Sequence, residues 1–241
     1  DARGGAVPAA AELAAALNAR VVAVLQYRPD LDAADVAARL RPVKERLLGV
    51  VLNGLTRHRG HDTRTRLVPA LTAQGVRVLG VLPEDRTLLG VTVAQVAQHL
   101  EATWLLNEER AQNLVEHFLI GGFLLDWGET YFGRKANKAV LCRVDRPDLQ
   151  MAALRSSTPT ACLVLTAGQE RFAYDFPVQY VRHEALWLEV PVLLVERGTV
   201  EAAQALDCIV TRARVHHPRK LERLQELLHH HVDLEAVASA L

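Results

Sequence analysis

Residues 138–155 read KAVLCRVDRPDLQMAALR, and this stretch decides the class of fold. Ala139 to Val144 form a largely apolar run with the length of a buried strand, and a helical pattern follows from Pro147 to Arg155. Proline is tolerated at the first position of a helix, and Asp148 in the first turn is favoured by the helix dipole. A strand that leads directly into a helix is the repeating unit of an α/β fold.

The same alternation of apolar strands and helices extends along most of the chain. It predicts further strands at 21–25, 46–55, 77–83, 161–166 and 190–196. It predicts a first helix that ends near residue 18, and further helices at 32–43, 63–75, 91–102, near 176–186, 199–206 and 218–231. Asp32 and Thr92 are the predicted N-caps of the helices at 32–43 and 91–102. Residues 104–132 are predicted to be two helices separated at Gly121–Gly122. Two parallel or mostly parallel α/β domains are therefore expected, at 1–105 and 106–241.

Composition excludes several classes of partner. The 241 residues are 50% hydrophobic, and basic and acidic side chains both total 28, so no net charge attracts nucleic acid or an anionic membrane. The three cysteines form no C-x-x-C pair, which argues against a disulfide framework or a zinc knuckle and favours a reducing cytoplasm. No apolar run reaches the ~18 residues of a membrane span. The chain begins at Asp1, which suggests a fragment or a processed protein.

A first candidate ligand site lies where two predicted strands end. Asn53 closes the run GVVLNG, and its amide can donate to and accept from the edge of an adenine. A plain turn residue before Gly54 is the alternative, and spacing alone favours it. The next strand ends at Pro83, followed by Glu84 and Asp85. Because right-handed crossovers place such strand ends side by side, these residues are predicted to share one rim.

A second candidate site follows three later strands. Asp145 and Arg146 close one strand, and a capped helix with a local ion pair explains them equally well. Thr166 and Gly168 in VLTAGQ offer a hydroxyl and an approachable backbone to a phosphate or ribose, or form a simple chain reversal. Thr199 begins the next helix, where capping alone accounts for it.

The sequence carries no recognisable catalytic or metal-binding constellation. His58, His61 and Asp62 lie in a polar loop, and the histidines at 229–231 occupy successive directions of a helix about 100° apart, so they cannot converge on one ion. The phosphate-binding pattern G-x-x-x-x-G-K-[ST] does not occur, nor does G-x-S-x-G or G-x-G-x-x-G. We therefore expect no metal and no catalytic activity in this chain as given.

The second half resembles the DRTGG domain, a regulatory α/β module found beside CBS domains and in the N-terminal region of many phosphate acetyltransferases. The resemblance runs through residues 137–169, 190–206 and 219–241. Val144-Asp145-Arg146 matches the family's Gly-Asp-Arg turn with the glycine replaced, and Leu165 to Gly168 matches Leu-Thr-Gly-Gly with one glycine replaced. Gly198-Thr199 matches its Asp-Thr. The final segment matches at Lys220, Val232 and Asp233.

The first half is similar to the C-terminal part of dethiobiotin-synthetase-like domains, which are P-loop relatives fused to DRTGG domains in a phosphotransacetylase-like family. The similarity lies in AAELAAALNARVVAVLQY, LLGVVLNGL and residues 76–102. It implies that Asn53, Pro83 and Glu84 line an adenine pocket, in a sheet that lacks its phosphate-binding loop. The two resemblances together imply a regulatory protein, a homodimer that binds an adenine nucleotide. A fragment of an ATP-dependent ligase or ATPase, with its P-loop upstream, is the alternative.

Overall fold

The computed structural model describes residues 6–122, 128–166 and 177–240. The chain divides into two compact units: the first unit holds residues 1–85 and 221–241, and the second unit holds residues 86–220. The strands are β1 (Val21–Gln26), β2 (Leu47–Leu55), β3 (Val78–Pro83), β4 (Val91–Thr92), β5 (Thr103–Leu106), β6 (Leu114–Val115), β7 (His117–Ile120), β8 (Lys138–Arg143), β9 (Thr160–Thr166) and β10 (Val192–Val195).

Helices separate most of the strands. They are α1 (Ala6–Ala16), α2 (Ala33–Leu40), α3 (Gly60–Asp62), α4 (Val68–Ala73), α5 (Arg86–Leu89), α6 (Val93–Leu100), α7 (Gly128–Phe132), α8 (Pro147–Leu154), α9 (Gln179–Trp187), α10 (Thr199–Ala205), α11 (Pro218–His231) and α12 (Leu234–Ala238). A π-helical turn at Thr63–Leu67 joins α3 to α4. Within the described residues no helix combines the length and the apolarity needed to cross a bilayer.

The first unit is built on a three-stranded parallel sheet in the order β1-β2-β3. The central strand β2 is an apolar run, and its Val50 and Leu52 are fully buried in a core with Leu71 of α4 and Val36 of α2. The end of the chain belongs to this unit, since Asp233 N donates to Leu79 O at 2.7 Å beside β3.

The second unit holds a five-stranded sheet in the order β5-β10-β9-β8-β7. Strands β7 to β10 are parallel to one another, and the edge strand β5 is antiparallel to β10. Every residue of β9 is buried, as is every residue of β8 except Arg143. Helices pack against these strands through two apolar clusters, one of which includes α6 and α10, and the other α8 and α9.

The predicted α/β class with mostly parallel sheets is confirmed. The prediction of a helix from residue 104 to the Gly121–Gly122 break is wrong, because this segment forms β5, β6 and β7 instead. The division into units also differs from a boundary at 105/106. That boundary falls inside β5, which pairs with β10, while the last residues of the chain join the first unit. Both features depend on pairings between residues far apart in sequence, which local patterns do not encode.

Candidate functional site

The parallel strands of the second unit end along one edge of its sheet, here called the carboxyl edge. The last residues of β8, β9 and β10 are Arg143, Thr166 and Val195, and the predicted site residues lie at or just beyond these ends. Arg143 pairs with Thr166 in the sheet, and Val144 N donates to Thr166 O at 3.2 Å. Loops and helix starts converge at such an edge, which is where open α/β sheets bind ligands.

Thr166 and Thr199 meet at this edge. Their hydroxyl oxygens lie 2.6 Å apart, and Thr166 Oγ1 also lies 3.3 Å from the carbonyl oxygen of Cys142. Because a carbonyl only accepts, Thr166 donates to Cys142 and Thr199 donates to Thr166. This order leaves the lone pairs of the half-buried Thr199 hydroxyl without a donor among the described residues. The sequence named both residues, but only the adjacency of β9 and β10 brings them together.

Asp145 and Arg146 each take part in a local ion pair. Arg143 donates to both carboxylate oxygens of Asp145 at 2.9 Å, and Arg146 does the same to Asp148, with its shortest contact at 2.6 Å. The hydrogen bonds from the guanidinium groups lower the pKa of Asp145 and of Asp148 from their ordinary values. Arg146 precedes α8 as its N-cap and Pro147 opens the helix, as predicted.

Gln150 is a buried polar residue at this edge that sequence reasoning missed. It is fully buried in α8, and its Nε2 donates to the carbonyls of Arg143 and Val144 at 3.0 and 3.1 Å. Its Oε1 has no hydrogen-bond partner among the described residues. Its burial could have been predicted from its spacing in the sequence. Gln150 lies four residues before the buried Leu154, so both residues lie on the same face of the helix. Gln150 fixes the turn that presents Asp145.

The predictions for Gly168 and Thr199 have different outcomes. Gly168 lies outside the described residues, so its predicted role stays a prediction. The expectation that Thr199 caps its helix is wrong, because Gly198 is the N-cap of α10. Gly198 N donates to Glu201 Oε2 at 3.3 Å. The Thr199 side chain is thereby left to bond Thr166.

In the first unit, Asn53 and Pro83 lie on neighbouring strands. Asn53 pairs with Leu82, Pro83 pairs with Leu55, and Glu84 N donates to Leu55 O at 2.9 Å. The half-buried Asn53 side chain makes no hydrogen bond to any residue that the structure describes. Asn53 therefore lies on β2, Pro83 ends the adjacent strand β3, and Glu84 follows that strand; their predicted contact with adenine stays a prediction.

The residues around this stretch are held by specific contacts. Gly54 has a φ of 77°, and a Cβ there would collide with Gln26 on β1. Asp85 accepts from Arg223 Nε of α11 at 2.9 Å. The acidic residue that follows Pro83 and Glu84 in the sequence thus has a structural partner from the end of the same unit.

The histidines that suggested a metal reading are not gathered by the fold. Over residues 6–122, 128–166 and 177–240, no three His, Cys, Asp or Glu side chains are placed to hold an ion. Burial raises the pKa of the Cys142 and Cys162 thiols to about 12, so neither is a thiolate at neutral pH. Among the described residues, the carboxyl edge presents hydrogen-bonding groups and ion pairs.

The second unit is a parallel α/β domain of the class that binds ligands at the ends of its strands. More particularly, residues 95–209 match the DRTGG domain family, which confirms the DRTGG domain predicted for this part of the chain. The chain is also similar to the crystal structure of the CBS and DRTGG domains of the regulatory region of Clostridium perfringens pyrophosphatase complexed with its activator, diadenosine tetraphosphate. That similarity covers 67% of this chain and 74% of that one, with 12% identity and a TM-score of 0.39.

Proposed function

We propose that this protein is a non-catalytic regulatory protein that senses an adenine nucleotide through the carboxyl edge of its DRTGG domain. The observation that carries the proposal is the pair of threonine hydroxyls, Thr166 and Thr199, held 2.6 Å apart at the ends of adjacent parallel strands. Both lie within the residues that match the DRTGG family. The acceptor lone pairs of Thr199 suit the hydroxyl groups of a ribose.

Arg146 supplies the positive charge that a phosphate requires. Its guanidinium is about one third exposed and already binds a carboxylate, Asp148, in a two-pronged geometry. A phosphate presents oxygens with similar spacing, so Arg146 can exchange Asp148 for the ligand without changing its own geometry. The first turn of α8, which begins at Pro147, adds positive potential at the same place.

Isothermal titration of the full chain with ATP, ADP, AMP and cyclic dinucleotides tests this proposal. Saturable heat is expected with at least one of them, and Thr199→Val should weaken that ligand by about tenfold because one hydrogen bond to the ligand is lost. Thr211→Val is the matched control, since Thr211 is an exposed threonine of the same unit whose hydroxyl bonds the Cys208 carbonyl. Absence of heat with every nucleotide would remove the sensing function.

We further propose that the first unit is the C-terminal part of a dethiobiotin-synthetase-like domain, with Asn53, Pro83 and Glu84 at an adenine pocket. The side-chain amide of Asn53 makes no hydrogen bond to any described residue, and this supports the proposed pocket. Asn53→Leu keeps the volume and removes both the donor and the acceptor. If Asn53→Leu abolishes nucleotide binding and Thr199→Val does not, the nucleotide binds the first unit and the carboxyl-edge proposal fails.

The same unit supports one alternative function, a fragment of a P-loop ATP-dependent ligase or ATPase. Its three parallel strands, and the position of Asn53 beside the end of β3, favour this alternative function. A G-x-x-x-x-G-K-[ST] pattern in the coding sequence upstream of Asp1 would establish it, and its absence there would reject it.

The relation to the N-terminal region of phosphate acetyltransferases is also a proposal. An acetyl-CoA/phosphate exchange assay on this chain should give no activity, because a regulatory region supplies no catalytic groups.

The predicted homodimer is checked by light scattering coupled to gel filtration, where a monomer mass would reject it.

A further inference from the structure

A cavity of about 610 Å³ lies in the second unit. It is bordered by the first turns of α6 and α11, and apolar side chains of Ala94, Leu114 and Pro218 line part of it. None of the residues proposed for nucleotide sensing lines this cavity. A volume of this size accommodates a small organic molecule.

The ionisable side chains that line the cavity, among the described residues, are all basic. Among the residues that the structure describes, those lining it include Arg214, His216, His217 and Lys220 and include no aspartate or glutamate. Arg214 and His216 are exposed. One nitrogen of Arg214, Nη1, donates to the carbonyls of Thr211 and Ala213, which holds the guanidinium beside the cavity. A concave surface with several basic groups and no acidic group attracts an anion.

Lys220 is a buried lysine that pairs with no carboxylate in the described part of the chain. Its side chain is 1% exposed, and its ammonium donates to the carbonyl oxygens of Leu88 at 2.9 Å and Gly90 at 2.5 Å. An ammonium has three hydrogens, and no carboxylate among the described residues pairs with Lys220. Burial lowers its pKa from the ordinary value for lysine. A buried charge without a counterion is costly, so an anion nearby would stabilise this arrangement.

Lys220 also occupies an unfavourable place in its helix. It lies in the first turn of α11, a helix of 14 residues, where the helix dipole favours anions and disfavours cations. The buried lysine and the start of the helix therefore add their positive potentials at the same wall of the cavity. Both would be compensated by a single negative group.

His217 contributes an unsatisfied nitrogen. Its Nε2 lies 3.1 Å from the carbonyl oxygen of Gln112, so Nε2 carries a hydrogen. Its Nδ1 is buried and has no partner among the described residues. In the protonated ring Nδ1 becomes a second donor, and an oxyanion in the cavity is the partner that satisfies it.

We infer that this cavity is a binding site for a phosphate group, separate from the nucleotide-sensing edge. Arg214 and His216 bind the phosphate oxygens directly, His217 Nδ1 donates to them, and Lys220 with the first turn of α11 supplies positive potential from the wall. The apolar residues receive whatever organic group the phosphate carries. The ligand is inorganic phosphate or a small phosphorylated metabolite, and the two share the same recognition chemistry.

Titration of the full chain with inorganic phosphate, AMP and adenosine tests this site, with heat and the ring signals of His216 and His217 in NMR spectra as readouts. Phosphate and AMP should bind and shift both histidine signals. The double variant R214Q/H216Q should weaken binding at least about tenfold, since charged hydrogen bonds are lost. The matched control is R182Q/H183Q, which removes an exposed arginine and an exposed histidine of α9.

Equal affinity for phosphate and AMP identifies the free anion as the ligand, and tighter binding of AMP identifies a phosphorylated metabolite; both support the site. Saturable binding by neither probe, equal binding of adenosine and AMP, or wild-type binding by R214Q/H216Q would overturn it. Thr199→Val should leave phosphate binding unchanged, so failure of the nucleotide-sensing proposal is seen separately.

Discussion

Two strands with similar apolar sequences, β1 and β9, are buried to different extents. Residues 21–25 of β1 read VVAVL and residues 161–165 of β9 read ACLVL. All of β9 is buried between helices, whereas β1 alternates between half-buried and exposed positions, and Val24 is 64% exposed. An apolar run therefore predicts that a strand forms, but the strand's position in its sheet decides how much of it is covered.

The largest effect is expected from the same substitution made in both strands. Val164→Ala should lower the free energy of unfolding of the second unit by about 2–4 kcal/mol, because Val164 is fully buried and a cavity is left. Val24→Ala should change stability by less than about 0.5 kcal/mol. Urea unfolding of both variants measures the difference. An equal loss in the two would mean that β1 is covered in solution.

A smaller effect is expected where the end of the chain approaches β3. A Cβ at Gly80 would lie 2.8 Å from Val232 Cα and would collide with the backbone of His231, so Gly80→Ala should cost about 1–3 kcal/mol. At Gly60, apart from the adjoining backbone, no atom of the described residues lies within 4 Å of the added Cβ. Gly60→Ala should therefore be neutral or slightly stabilising in the same unfolding experiment. If both variants behave alike, the contact at Gly80 does not contribute to stability.

The covered sheet of the second unit also contains a buried charge. Lys138 begins β8, is fully buried, and donates to Ser156 Oγ at 2.8 Å and Thr158 O at 2.7 Å. Burial lowers its pKa to about 8. The unfolded chain therefore holds the proton more tightly between about pH 8 and the ordinary lysine value of about 10.4, so stability should rise with pH across this interval.

One proton changes stability by at most about 1.4 kcal/mol per pH unit. Lys138→Met removes the titrating group, so the variant should lack the part of the slope that the wild type shows above pH 8. Thermal unfolding at a series of pH values makes the comparison. A wild-type slope that persists unchanged in Lys138→Met would assign the titration to another group.

The smallest effect is expected at the surface of the carboxyl edge. Arg143 and Asp145 are 45% and 36% exposed, so breaking their pair with Arg143→Gln should cost no more than about 1 kcal/mol at pH 7. The pKa of Asp145 is lowered by Arg143, so the contribution is present above the ordinary carboxyl pKa and disappears as pH falls through the lowered one. The stabilities of wild type and variant should converge in acid. Convergence in alkali instead would contradict this account.

Local features of the fold could be predicted from the sequence because their causes are local. Asp32 caps α2 by accepting from Ala34 N at 2.8 Å, and Thr92 caps α6 in a capping box with Gln95. The strands within segment 104–121 could not be predicted from the sequence. The charged residues of this segment favour a helix, while its apolar residues pair with strands that are distant in sequence. Leu106, for example, pairs with Val192.

The candidate site shows the same limit. Asp145, Thr166 and Thr199 could be named because each follows a recognisable strand, but the bond between the two threonines depends on the order of strands in the sheet. Gln150 was overlooked because a glutamine in a helix is ordinarily exposed. The basic cavity was overlooked because Lys220 lies about 130 residues from the carbonyls that it bonds.

The discontinuous first unit has a consequence for biosynthesis. Its sheet is made from residues 1–85, yet Asp233 bonds Leu79 and Arg77 pairs with Asp233 at 3.0 Å. The ribosome releases residues 221–241 only after the whole DRTGG domain has emerged, and domains generally fold as units during synthesis. Residues 1–85 must therefore wait for residues 221–241 before the first unit is complete, whereas residues 86–220 emerge before those last residues.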